Sequence, residues 1–272
     1  MKVVKPTAIE LVQTDMFKHI ELCGRTCYKS EDKITEGSAL KFVDMLTKHA
    51  HGAMLEHGTV YLTIPVADVM YWVSHEHQPG PHEKWLEYVR QLPHSKEVYL
   101  DDYYYITTNY RVIIENDLQD LREKYETACT EFHEKRRTFK ITCNRGVSHE
   151  FVRHRVFSFA QESQRYCNYS KDKYGNEITF VQPIWQDNGE YMTERTLKAW
   201  TRAVDICEST YFDLLIAGLT PQLARGVLPN DTKTELIMTG FETDWDHFFE
   251  LRCAPDAHPE AKYIADIIRS SF

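Results

Sequence analysis

The chain of 272 residues carries 32 Lys and Arg against 41 Asp and Glu, a formal net charge of −9. That balance argues against a general nucleic-acid binder with a broad basic face, but not against small anionic ligands, which respond to local arginines. The length suffices for a full core without covalent staples. The seven cysteines (Cys23, Cys27, Cys129, Cys143, Cys167, Cys207, Cys253) are scattered with no C-x-x-C pair, so reduced thiols are expected rather than a disulfide framework or zinc knuckle.

No apolar run approaches membrane-spanning length, and the start MKVVKPTAIELVQTD has no signal-peptide pattern, so a cytoplasmic protein is expected. VVKPTAIELV reads as a short strand, followed by a helix over residues 16–23 and a turn, CGRTCYKS. Residues 36–50 place Leu40, Val43 and Leu46 at steps of three, one buried stripe of a helix. HGAMLEHG at 51–58 punctuates before a strand, TVYLTIP, that ends at Pro65. Pro65, Pro79, Pro81 and Pro93, interleaved with histidines, make 65–95 an irregular excursion with helical fragments.

Further along, YYYITTNYRVII is rich in β-branched and aromatic residues and predicts a strand. DLQDLREKYETACTEFHEKR predicts a mostly polar surface helix, and RTFKITC a returning strand. From Leu197 the apolar residues Leu197, Trp200, Val204, Cys207, Tyr211 and Leu214 alternate steps of three and four, a helix broken at Gly218 and Pro221. TELIMTGFE predicts a strand, WDHFFELR a helix, and PEAKYIADIIRS a terminal helix with Pro259 in its first turn. With no repeat, low-complexity tract or linker, one α/β domain with an inserted excursion is the simplest organisation.

Chemistry concentrates in SHEFVRHRVFSFAQESQRYCNYS, residues 148–170. HEFVRH falls short of the zinc-binding H-E-x-x-H pattern, because Arg153 stands where the second histidine would be, four residues after His149. His75 and His77 with His82, and the group His49, His51 and His57, lack a completing ligand set and read as polar loop residues. On a helix running from Val147, Arg153 and His154 would diverge in azimuth and address different parts of a large anionic ligand. Gln161, Ser163 and Arg165 add donors suited to a phosphate or base edge. The bland alternative is a solvated, charged helix end. Ser163 lacks a nucleophile elbow, and Cys167 lacks a recognisable partner signature, so neither reads as a nucleophile. There is no G-x-G-x-x-G and no P-loop.

RHRVFSFAQES, an Arg-His-Arg run, seven residues and then Ser163, with Arg165 beyond, resembles the signature of flavin-dependent thymidylate synthases. HGAMLEHG, GRTCY at 24–28, LARGVLP at 223–229 and HFFELR at 247–252 are similar to further segments of that family. The resemblance implies an α/β (α+β) fold, with a mixed central sheet flanked by helices and an insertion at about 66–137. It implies reductive methylation of dUMP to dTMP, with methylenetetrahydrofolate as carbon donor, FAD as hydride carrier and NADPH as reductant, in a homotetramer with shared active sites. The protein would then work by positioning and electrostatics rather than by covalent attack. A nucleotide-binding protein without redox chemistry on the same scaffold is the alternative.

By the same resemblance, Arg153, His154 and Arg155 grip FAD, with His51, Ala53, Gln161 and His247 also meeting it. Glu150, Arg153, Gln161, Ser163, Gln164 and Arg165 bind dUMP, Arg225 holds its phosphate, and Arg252 stabilises charge on the pyrimidine as the catalytic residue. The chain departs from the family pattern at several of these points. Ala160–Gln161 stands where many members have Asn-Glu, Glu150 where some have Gln, Cys27 for a serine, Ala53 for a hydroxyl residue and His247 for an asparagine.

Overall fold

The computed structural model describes residues 1–69, 94–165, 167–171, 175–187 and 191–272. The expected helical fragments between Pro65 and residue 95, with His75, His77 and His82, lie almost entirely outside the described residues.

The N-terminal run forms two strands rather than one, β1 (Lys2–Val4) and β2 (Thr7–Glu10). Pro6 between them has no N–H to give a ladder, and the two strands join different sheets. β1 pairs in parallel with β8 (Thr179–Val181). β2 is the edge of a four-stranded sheet of order β2-β6-β9-β7, where β6 is Arg136–Asn144, β7 Ser158–Gln161 and β9 Lys233–Phe241. Every pairing in this sheet is antiparallel.

Alternation gives this sheet two buried faces. Phe139, Ile141 and Cys143 of β6 and Leu236 and Met238 of β9 pack with α6 (Arg145–Phe151), α9 (Glu242–Arg252) and α10 (Pro259–Arg269). Ala160 and Ile237 on the opposite face meet Cys23 of α1 (Met16–Tyr28). The expected turn at CGRTCYKS is instead the second half of α1, which ends only at Lys29 in the left-handed region, φ 48°. Gly24 continues the helix because the Phe42 ring lies on it: a Cβ there would meet the ring at 2.6 Å. Phe42 belongs to α2 (Ser38–Lys48), whose buried stripe is Ala39, Phe42, Val43 and Leu46. Leu40, expected in that stripe, is 63% exposed, because the helix faces its neighbours through the 39/42/43/46 positions.

The excursion adds two strands, β4 (Lys96–Leu100) and β5 (Tyr103–Asn109), to β3 (Thr59–Pro65), making a second antiparallel sheet of order β3-β5-β4. The strand expected over YYYITTNYRVII ends at Asn109, whose side chain accepts from the Val112 amide and caps α4 (Tyr110–Glu115). Only Gln119–Tyr125 of the following polar stretch is helical (α5); it is a surface helix with Gln119, Asp120, Glu123 and Lys124 exposed, anchored by Leu121 and Tyr125 buried against Val60, Leu62, Ile64 and Ile106. A third cluster joins α7 (Glu194–Ile216) to β8 and α8 (Pro221–Ala224) through Val204, Tyr211, Phe180 and Ala224. Among the described residues no helix is long and apolar enough to cross a membrane.

Candidate active site

The site grows from the two ends of α6. Asn144 accepts from the Val147 amide at 2.8 Å and starts the helix at Arg145, which ends at Phe151. Arg153, His154 and Arg155, expected on a helix running from Val147, therefore lie beyond it, in the loop that leads to β7. Turn hydrogen bonds hold that loop, His154 N–H to the Phe151 carbonyl and Phe157 N–H to the His154 carbonyl, both 3.1 Å. Phe157 anchors it. Its ring lies over Gly240 of β9, where a Cβ would come within 2.5 Å, and edges against Trp245 at 4.6 Å between ring centroids.

Arg252, the last residue of α9, ties the loop to α6. Its Nη1 donates to Glu150 Oε2 and its Nη2 to the Glu150 carbonyl, both at 2.7 Å, while Nε donates to His154 Nε2 at 2.9 Å. His154 must therefore be neutral, with its proton on Nδ1. Burial, reinforced by the Arg252 charge, lowers its pKa to about 4. The hydrogen bond from Arg252 holds the Glu150 carboxyl below the usual carboxylate range. A guanidinium has five N–H donors, so two remain on Arg252 for another acceptor.

Gln161, at the end of β7, is oriented by a chain of donors. The Ser148 hydroxyl donates to the Arg145 carbonyl at 2.8 Å, so toward Gln161 it can only accept. It accepts from Gln161 Nε2 at 2.9 Å, and Thr234 Oγ1 accepts from the same nitrogen at 3.3 Å. The amide nitrogen thus faces inward and the carbonyl oxygen outward, leaving Gln161 an acceptor, as a glutamate would be. Arg145 Nη1 shares Thr234 Oγ1 at 3.3 Å.

Arg145, His149, Gln164, Arg225, Leu228, Pro229 and Asn230 line an adjacent cleft of about 270 Å³, with no carboxylate among the described residues of its wall. Burial lowers the pKa of Arg145, opposed by Tyr169 and Glu162, with the Arg225 charge a smaller lowering influence. On the rim, Arg165 Nε donates to Gln222 Oε1 at 3.2 Å. Ser163 is fixed through its backbone: its N–H reaches the Cys27 carbonyl at 2.9 Å, and its Oγ accepts from the Arg165 amide at 3.3 Å. A larger cleft, about 530 Å³, opens near Glu162, but Lys29 and Lys233 in its wall are paired with Glu235 and Glu162. Lys233 Nζ lies 2.8 Å from Glu162 and 3.0 Å from Glu235.

The fold therefore gathers Glu150, His154 and Arg252 in one contact group, and Gln164 and Arg225 in one cleft with Gln161, Ser163 and Arg165 nearby. Arg153 and Arg155 are exposed on the loop. His51 and Ala53 are exposed on α3 (Gly52–Leu55), a turn that packs on β7. His247 is exposed, 3.2 Å from Glu250 Oε2. Sequence reasoning missed Arg145, Ser148, Thr234 and Gln222. The four-residue spacing of Arg145 and His149 was the available signal, whereas the hydroxyls of Ser148 and Thr234 acquire meaning only once β9 lies beside α6.

Residues 130–272 match the family model described as thymidylate synthase complementing protein. The flavin-dependent thymidylate synthase of Geobacter sulfurreducens is 32% identical over 122 residues, 45% of this chain and 49% of that one. That of Corynebacterium aurimucosum is 35% identical over 133 residues, 45% of this chain and 51% of the relative. The chain spans about half the length of these relatives. A crystal structure of a UMP/dUMP methylase, PolB from Streptomyces cacaoi bound with 5-Br dUMP, aligns with TM-score 0.46 and 17% identity, covering 100% of this chain and 91% of the other. With more than half of its residues matching the family model, the chain belongs to the thymidylate synthase complementing protein family.

Proposed function

We propose that this protein is an enzyme that methylates dUMP reductively to dTMP, with methylenetetrahydrofolate as carbon donor, FAD as hydride carrier and NADPH as reductant. The observation that carries the reading is the 270 Å³ cleft, which brings Arg145 and Arg225 to one wall with no carboxylate among its described residues. Two guanidiniums held close in a partly buried cleft repel each other, and a phosphate relieves that repulsion while accepting charge-assisted bonds from both. Gln164 in the same wall and Arg165 on the rim suit the remaining phosphate and sugar oxygens.

In this reading the outward carbonyl of Gln161 accepts from a nucleotide donor. Arg252, held by Glu150 and His154, directs its two remaining N–H groups to the pyrimidine, where negative charge develops. Exposed Arg153 and Arg155 suit the diphosphate of a dinucleotide, so the loop would hold FAD together with His51, Ala53 and His247. When bound, the flavin supplies the hydride. The chain's own residues orient, neutralise charge and keep His154 neutral as an acceptor for Arg252. The same reading takes residues 1–272 as one domain with 66–137 inserted, and a cytoplasmic homotetramer in which a neighbouring subunit completes the exposed side of the loop.

The test is spectroscopic. The purified protein is expected to be yellow, to bleach under anaerobic NADPH, and to recover its colour while forming dTMP when dUMP and methylenetetrahydrofolate are added. A colourless protein that binds dUMP without taking up FAD would overturn the reading in favour of a nucleotide binder.

A further inference from the structure

The turn α3 has four residues, Gly52–Leu55, and a helix that short does not hold its own shape. It is entered through Ala50 in the left-handed region, φ 55°, and its one buried side chain, Leu55, packs with Ile20, Phe42, Val43 and Leu46. His51 and Ala53, the two residues assigned to FAD on this turn, are exposed and flank Gly52.

A single guanidinium from the excursion meets both ends of the turn. Arg111 of α4 donates from Nη1 to Glu56 Oε1 at 2.6 Å, one residue past the end of α3. Its Nε donates to Glu115 Oε1 at 2.8 Å, and this pair lies on Gly52, the first residue of α3. A Cβ on Gly52 would come within 2.9 Å of Arg111 Nε and 3.0 Å of Glu115 Oε1, an approach that only glycine permits. The support is itself fixed. Asn109 caps α4, Val112 and Ile113 are buried, and the Tyr110 amide donates to the Gly58 carbonyl at 2.8 Å. An exposed ion pair alone would contribute little; here one side chain grips a turn at its start and its end. Two carboxylates against one guanidinium also leave the group net negative, which suits it to holding the turn rather than to binding a phosphate.

We infer that Arg111 is a positioning residue by which the inserted excursion sets the turn presenting His51 and Ala53. This deepens the proposed function and rests on it for the identity of the cofactor. It gives the excursion a part in the site, since α4 lies wholly within residues 66–137.

The test is a double-mutant cycle on the full-length protein with Arg111→Ala and Gly52→Ala. Arg111→Ala is expected to weaken FAD binding about tenfold and to leave dUMP affinity within about twofold, since the nucleotide cleft lies elsewhere. Amide exchange of residues 51–57 is expected to speed about tenfold while the sheet core keeps wild-type protection. Gly52→Ala crowds the guanidinium and is expected to weaken FAD about tenfold alone, but less than about twofold further once Arg111 is alanine. Unchanged FAD affinity or unchanged exchange of 51–57 in Arg111→Ala would overturn the inference. So would equal losses from Gly52→Ala in both backgrounds, because the added methyl group would then act on the cofactor directly. Parallel losses of FAD and dUMP affinity with a lowered Tm would mark a merely structural role and overturn it too. If the wild-type protein binds no FAD, the proposed function falls, and exchange of 51–57 alone decides the role of Arg111. Should Arg111→Ala fail to fold, Gly52→Ala serves instead: faster exchange confined to 51–57 supports the inference, and its absence overturns it.

Discussion

Three acceptors surround one side of the Arg252 guanidinium, and their planar arrangement is one that only arginine can satisfy. A lysine at this position would hold a positive charge but could not bond Glu150 Oε2, the Glu150 carbonyl and His154 Nε2 in a single plane. Arg252→Lys is therefore expected to leave the protein folded while turnover drops about 100-fold or more, the scale of losing an oriented charge-stabilising donor. Steady-state kinetics beside a thermal melt separate the two effects, and wild-type turnover in this variant would remove Arg252 from the chemistry. Ser148 invites the complementary experiment, because its hydroxyl is the acceptor that fixes the Gln161 amide. Ser148→Ala leaves Gln161 Nε2 with only the long contact to Thr234, at 3.3 Å. A loss of about 1–3 kcal/mol in urea denaturation is expected, as for a partly buried donor deprived of its partner.

At the scale of elements, the strands and helices that carry the site were legible where periodicity was strong. β6, β9, α7, α9 and α10 lie close to the segments that alternation and helical spacing mark out. The misses have local causes. Gly24 reads as a breaker, yet close packing on Phe42 keeps it helical; Asn109 converts an aromatic strand into a helix by capping it. The Arg-His-Arg run, read from the sequence on a helix, is a loop, because the Glu150 carbonyl at the end of α6 is taken by a guanidinium from a helix about 100 residues later in the chain. Phe157 on Gly240 is the packing that sets where this loop turns back into β7. Gly240→Ala places a methyl group into that ring, and strain of about 1–3 kcal/mol is expected, as in other overpacked cores. A thermal melt reads the loss, and an unchanged Tm would show that Phe157 can move aside freely.

Across the whole molecule, a buried polar column on the α1 side of the central sheet depends on one protonation state. His19 Nε2 meets Thr138 Oγ1 at 3.2 Å, Thr138 meets Thr239 Oγ1 at 2.8 Å, and Thr239 meets His57 Nδ1 at 2.8 Å. Burial lowers the pKa of His19 to about 4, helped by the Arg136 charge, and that of His57 to about 3, helped by His19 and Arg136. An unfolded histidine titrates near 6.5, so between roughly pH 6.5 and 4 the unfolded chain binds protons that the folded chain refuses. Stability is then fully present above about pH 6.5 and falls as pH drops toward the folded values, by up to about 1.4 kcal/mol per pH unit for each such histidine. Carboxylates enter later: Glu235, its burial outweighed by Lys233 and Lys29, is held at about 2 and begins to cost stability only below its ordinary value of 4.5. The interval from pH 6.5 to 5 therefore isolates the histidines. Urea unfolding across it should give a steep loss for the wild-type protein and a shallower one for His57→Asn, whose Oδ1 can still accept from Thr239. Equal slopes for the two proteins would mean that the column does not carry the acid sensitivity of the fold.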